Sequence, residues 1–163
     1  MSANKYKRHI LVLPEDDANR QIANGFLLNP NLDERAIQIL PPSGGWKKAL
    51  DSFTNNHLSK MRQYTLRTFL LLIDFDLNED RLDSVQKQIP DDLIDRVFVI
   101  GSQSEPEELK KEIVNLNNFE DIGKALAHDC VNETYEIWGH ELLKHNQKEL
   151  DRMIAGVKPF LFH

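Results

Sequence analysis

The sequence predicts an α/β fold: a parallel sheet of about four strands flanked by helices, then a helical C-terminal extension. Three observations carry this expectation. Four short apolar runs, at residues 9–13, 36–40, 69–73 and 96–100, have the length and continuous apolarity of strands buried on both faces. Each run is followed by a stretch with helical apolar spacing. From Phe119 onward the alternation gives way to two longer helical patterns.

The first strand, His9-Ile10-Leu11-Val12-Leu13, ends at Pro14 and runs into Glu15-Asp16-Asp17. Residues 18–28 read as a helix with Ile22 and Phe26 inward, Asp16 or Asp17 as its N-cap, and Asn29-Pro30-Asn31 as its stop. Residues 36–40 form the second strand. Pro41-Pro42-Ser43-Gly44-Gly45 is a tight loop that can bring N–H groups near an anion, and residues 46–58 read as a helix. Lys47 and Lys48 sit in its first turn, against the helix dipole, where a bound phosphate would account for them; otherwise they only solvate the helix.

The third strand, in Phe69-Leu70-Leu71-Leu72-Ile73-Asp74-Phe75-Asp76, is the centre of the pattern. Residues 78–88 read as a polar helix capped by Asn78 or Asp80. Residues 96–101 form the fourth strand. Ser102 or Ser104 is expected to cap the next helix, with Pro106 in its first turn. One helix then covers residues 119–130 and a longer one residues 132 to about 155, ended by Gly156; residues 157–162 suggest a last edge strand. The whole reads as one domain, with a core over about 9–116 and an extension over about 117–163.

Composition narrows the function. A single cysteine, Cys130, excludes an internal disulfide and points to a reducing, cytoplasmic setting. Residues 1–9 are polar and basic, with no apolar leader segment. No run approaches the roughly 18 apolar residues of a membrane span, so no membrane partner is expected. The net charge of -6 disfavours a general electrostatic nucleic-acid binder. It leaves room for an enzyme whose acidic site takes metal first and phosphate second.

Strand ends in a parallel sheet share one edge, so Glu15, Asp74 and Asp76 are candidates for one site. Carboxylates gathered there repel, and Mg2+ or Mn2+ would relieve the repulsion. The alternative is that Asp74 caps a helix and Asp76 is solvated. Glu105 or Glu108 could add a ligand, or simply begin a solvated helix. His128, His140 and His145 lack the spacing of a zinc site, and Cys130 reads as a small buried residue. No Walker A motif is present.

Leu13-Pro14-Glu15 and Leu72-Ile73-Asp74-Phe75-Asp76 resemble the paired motifs of the Toprim domain. That domain is shared by bacterial primases, type IA and type II topoisomerases and the overcoming-lysogenization-defect nucleases. Ser43-Gly44-Gly45-Trp46-Lys47 is similar to the Gly-rich turn of the last branch. The resemblance covers roughly residues 9–112. Asp16 stands where the family commonly has Gly, and Asn19 where it often has an acid. It implies a Toprim-like (Rossmann-like) sheet and a Mg2+-dependent nuclease in defence, including phage defence, or in repair. Glu15 would be the general acid/base, Asp74 and Asp76 the metal ligands, and nucleic acid the substrate. Gly44, Gly45, Lys47 and Lys48 would meet phosphate, and any ATPase would be a separate partner. A non-catalytic interaction module on the same fold is the alternative. A receiver-like reading, with Asp74 as phosphoacceptor, Ser102 as switch hydroxyl and Lys158-Pro159 behind it, fits the spacing less well.

Overall fold

The computed structural model describes residues 2–113 and 115–163. Its sheet has four strands: β1 (His9–Pro14), β2 (Ile37–Ile39), β3 (Arg67–Leu72) and β4 (Val97–Ile100). All pairings are parallel and the order is β2-β1-β3-β4. The chain winds outward in both directions from β1, so the order reverses between β1 and β3. In open α/β sheets that reversal opens a crevice at the carboxyl ends of the strands.

Helices cover both faces, as the sequence predicts. They are α1 (Asp17–Phe26), α2 (Trp46–Ser52), α3 (Leu58–Gln63), α4 (Asp80–Gln86), α5 (Pro106–Glu112), α6 (Phe119–Asn132), α7 (Gln147–Gly156) and α8 (Lys158–Leu161). Alternate strand residues divide between the two faces. Leu11, Leu13, Phe69, Leu71, Val97 and Val99 pack with Leu50, Phe53, Met61 and Val85 under α2, α3 and α4. Ile10, Val12 and Phe98 pack on the other face with α1 and α8, and Ile100 packs with α6 and α7.

On that second face α1 and α6 cross almost backbone to backbone. A Cβ on Gly25 would lie 2.0 Å from the Glu120 carbonyl oxygen, and one on Gly123 would lie 1.9 Å from that of Ile22.

Several boundaries differ from expectation. The helix expected over residues 46–58 continues to Gln63 through one π-helical turn, Phe53–His57. Glu79 and Glu105, rather than Asn78, Asp80, Ser102 or Ser104, stand at the caps of α4 and α5, without side-chain capping bonds. Asn78 instead closes a local turn, its Oδ1 accepting the Asp80 N–H at 3.0 Å.

The single helix expected over residues 132–155 is broken. Asp129, buried at the end of α6, accepts the Ile137 and Trp138 N–H groups and the Thr134 hydroxyl. Glu133 adopts a left-handed conformation and the chain reverses. A carboxylate that satisfies backbone donors outside the helix favours termination over extension. The expected edge strand at 157–162 is α8, with Pro159 in its first turn and only Phe162 bridging back, antiparallel, to Leu32.

The break lets the extension cover the exposed edge of β4. Glu149 Oε2 accepts the Val99 N–H at 2.8 Å; Asn146 accepts from Gly101 N at 3.2 Å and donates to Gly101 O at 2.9 Å. Two side chains thus satisfy backbone groups that a fifth strand would otherwise pair. Arg152 neutralises Glu149.

Candidate metal centre

Glu15 and Asp74 follow β1 and β3, the adjacent strands on either side of the order reversal. The Glu15 N–H donates to Leu72 O at 2.9 Å, and the Asp74 N–H donates to Glu15 Oε2 at 3.2 Å. Asp16 joins them: one carboxylate oxygen from each of Glu15, Asp16 and Asp74 lies within 4.8 Å of the others. Asp16 is also the N-cap of α1, accepting the Asn19 N–H at 3.0 Å.

Asn19 is buried and holds the cluster together. Its Nδ2 donates to Asp16 Oδ1 and to Asp74 Oδ1, each at 3.0 Å. Arg81, in the first turn of α4, is the cation of the site. Its Nη1 donates to Asp74 O at 2.9 Å and lies 3.7 Å from Asp76 Oδ2, while its guanidinium stacks 4.7 Å above the Trp46 ring.

Burial leaves Glu15 and Asp74 unwilling to ionise together. Asp74 is only 4% exposed, and burial, then the charges of Glu15, Asp16 and Glu107, push its carboxyl up to about 8 against the opposing bond from Asn19. Burial likewise raises Glu15 to about 7, against the Asp74 N–H and the Arg81 charge. A cation would remove that conflict. The donor set is entirely carboxylate oxygen, which suits a hard divalent ion and not a zinc site built on His and Cys.

Asp76, expected as a ligand, lies outside this cluster. Asp76 and Leu77 are both left-handed, with φ of 53° and 56°, and the turn carries the Asp76 carboxylate out to 58% exposure beside Arg81. Its charge still reaches Glu15 and helps to raise it. Asp16 is therefore the third carboxylate of the cluster.

The Gly-rich loop sits on Glu15. The N–H groups of Gly44 and Gly45, expected to face an anion, both donate to Glu15 O, at 2.8 and 3.0 Å. With φ of 96° and 151°, both positions favour glycine. The loop thus fixes the residue that carries the carboxylate. Lys47 and Lys48 are exposed at the start of α2; Lys47 Nζ lies 5.5 Å from the Trp46 ring and Lys48 runs beside Gly44.

Sequence reasoning undervalued Asp16 and Asn19 and missed Arg81. The run Glu15-Asp16-Asp17 was a signal for the first. An arginine in the first turn of a helix, unfavourable to the dipole, was one for the last.

The other readings place their residues elsewhere. His128, His140 and Cys130 form no metal-ligand cluster among the described residues, and burial raises the Cys130 thiol to about 11. His145 packs edge-on against Phe75 at 5.1 Å. Lys158, needed at the acidic cluster by the receiver reading, pairs with Glu133 at 3.2 Å. It lies just past Gly156, whose carbonyl accepts from Arg8 at the opposite edge of the sheet.

No family model, curated protein or solved structure matches this chain. Among the described residues, no helix is long and apolar enough to cross a membrane.

The raised acids imply a pH signature. Glu15 and Asp74 both titrate higher in the folded protein than in the unfolded chain. Their stabilising contribution is full below their unfolded values and is lost as pH rises through about 7 and about 8. The buried His9 and the half-buried His57 and His145, all lowered by desolvation, act oppositely and only on the acid side of their normal range. In EDTA the melting temperature should therefore fall from about pH 6.5 to about pH 9. A flat or rising profile in a calorimetric series would contradict the buried cluster.

Proposed function

We propose that this protein is a Toprim-like, metal-dependent nuclease that hydrolyses nucleic-acid phosphodiesters. The observation that carries the reading is the convergence of Glu15, Asp16 and Asp74 oxygens within 4.8 Å at the switch point of the sheet. The resemblance of the Glu15 and Asp74-Phe75-Asp76 motifs to Toprim domains supports it. Glu15, Asp16 and Asp74 would hold Mg2+ or Mn2+, with Asp76 at the rim. A divalent ion there supplies neutralisation of phosphate charge and stabilisation of the leaving oxygen.

The chain's own groups do the rest. Glu15, to which the resemblance assigns general acid/base work, is oriented by the Asp74 N–H that donates to its Oε2 at 3.2 Å. Arg81 holds the Asp74 carbonyl and the Asp76 side chain in place. Lys47 and Lys48 offer charge to a neighbouring phosphate, a role the Gly44 and Gly45 amides are not free to share while they hold Glu15. A role in defence or repair, and a separate ATPase partner, follow from the resemblance alone.

Cleavage of single-stranded DNA, duplex DNA or RNA is expected in Mg2+ or Mn2+ and not in Ca2+, whose looser coordination positions phosphate poorly. Lys47→Ala with Lys48→Ala should raise KM more at low salt than at high salt.

The second reading is a non-catalytic interaction module. Asn19 favours it, because one neutral amide already bridges Asp16 and Asp74. Purified protein inactive on all three substrates in Mn2+ would select this reading.

A further inference from the structure

We propose that the amino-terminal edge of the sheet is a docking surface for single-stranded nucleic acid, distinct from the carboxylate cluster. Three cations surround one ring there. Arg67 Cζ, Lys5 Nζ and Lys60 Nζ lie 4.8, 5.2 and 5.9 Å from the centre of Tyr64. Lys5 Nζ also lies 5.4 Å from the ring of Tyr6, which is 77% exposed. Lys7 and Arg8 continue the exposed basic segment.

The arrangement is built rather than incidental. Arg96 clamps the loop that carries Tyr64: its Nη1 donates to Tyr64 O at 3.2 Å and Arg67 O at 2.7 Å, and its Nη2 to Met61 O at 2.8 Å. Arg67 Nε donates to the buried His9 ring at 2.9 Å. Among the described residues, none of Lys5, Lys60 and Arg67 is ion-paired. Asp92, close by, is engaged by Arg62 at 3.0 Å. A chain of net charge -6 has acids enough to neutralise this trio, yet keeps it bare. The missing complement is a polyanion.

The tyrosines select among polyanions. An acidic peptide would be served by cations alone. The exposed Tyr6 and the half-buried Tyr64, set among cations, suit a ligand with bases to stack and phosphates to pair. Bases locked inside a duplex cannot reach them. β1 spans six residues, so this edge lies about 20 Å from the carboxylates at ~3.3 Å per residue. It would hold a strand without touching the phosphate at the metal centre, and it does not depend on cleavage.

Fluorescence anisotropy with a labelled single-stranded oligonucleotide in EDTA tests this without turnover. Binding is expected, with affinity falling roughly 20-fold between about 50 and about 200 mM salt if three phosphates are neutralised. Lys5→Glu with Lys60→Glu, both exposed, should weaken binding at least about tenfold with an unchanged melting temperature. Tyr6→Ala with Tyr64→Ala should weaken it several-fold without changing the salt slope, and Tyr64→Phe should restore the Tyr64 contribution. The Lys5→Glu, Lys60→Glu protein should keep any Mg2+-induced rise in melting temperature, which separates this surface from the metal centre. Equal binding by the Lys5→Glu, Lys60→Glu protein, or competition by polyglutamate as effective per charge as by the oligonucleotide, would overturn the proposal.

Discussion

Asp74→Asn is expected to abolish the proposed metal-dependent cleavage while making the metal-free protein more stable. Both effects come from one carboxylate. Removing a ligand should lower activity by at least ~100-fold, since even loss of a group that merely orients a ligand costs 10–100-fold in metal sites. The same change removes a buried acid that repels Glu15 and Asp16. Asn19 Nδ2 can still donate to the new amide oxygen, as it now does to Asp74 Oδ1. Relief of repulsion worth about 1–3 kcal/mol at pH 8 would raise the melting temperature by roughly 2–12 °C. Mg2+ should raise the melting temperature of the unaltered protein by linkage and do so little for the variant. Scanning calorimetry at pH 8 with EDTA or Mg2+ gives both numbers. A destabilised metal-free variant that keeps its Mg2+ response would contradict the assignment.

Gly101→Ala should cost the fold more than any surface change. A Cβ there would lie 1.4 Å from the Ile73 carbonyl oxygen, so backbone at the end of β3 or β4 must move. That junction carries Asp74 on one side and the Asn146 bonds on the other. A loss of about 4 kcal/mol or more, roughly 8–16 °C in melting temperature, is expected, with failure to fold as its extreme. Gly156→Ala is the control. Nothing lies within 4 Å of a Cβ there and the residue ends α7, so the change should be neutral or slightly stabilising. Equal tolerance at both positions would contradict the tight junction of β3 and β4.

Much of the scaffold was legible because its signals are local. Runs such as Phe69-Leu70-Leu71-Leu72 must leave water on both faces, and alternation with helical spacing leaves a parallel sheet as the compact solution. Glu15 and Asp74 pair in the sequence pattern because parallel strands deliver their ends to one edge. The broken helix was not legible. Its cause is Asp129, whose competing bonds reach residues up to nine positions away.

Local patterns along the chain specify the sheet, its flanking helices and the edge on which Glu15, Asp74 and Asp76 end. Hydrophobic periodicity and strand direction are properties of single segments and suffice for that. Which acids meet depends on packing between distant segments. The left-handed turn at Asp76 sends its carboxylate outward, the N-cap geometry of α1 brings Asp16 inward, and Asn19 and Arg81 arrive from two different helices. Packing likewise decided that Gly44 and Gly45 spend their N–H groups on Glu15, and that Asn146 and Glu149 cover the edge of β4. Each is a choice of hydrogen-bond partner between segments distant in the chain. Such choices are settled by which buried polar groups would otherwise go unpaired, and no local pattern records them.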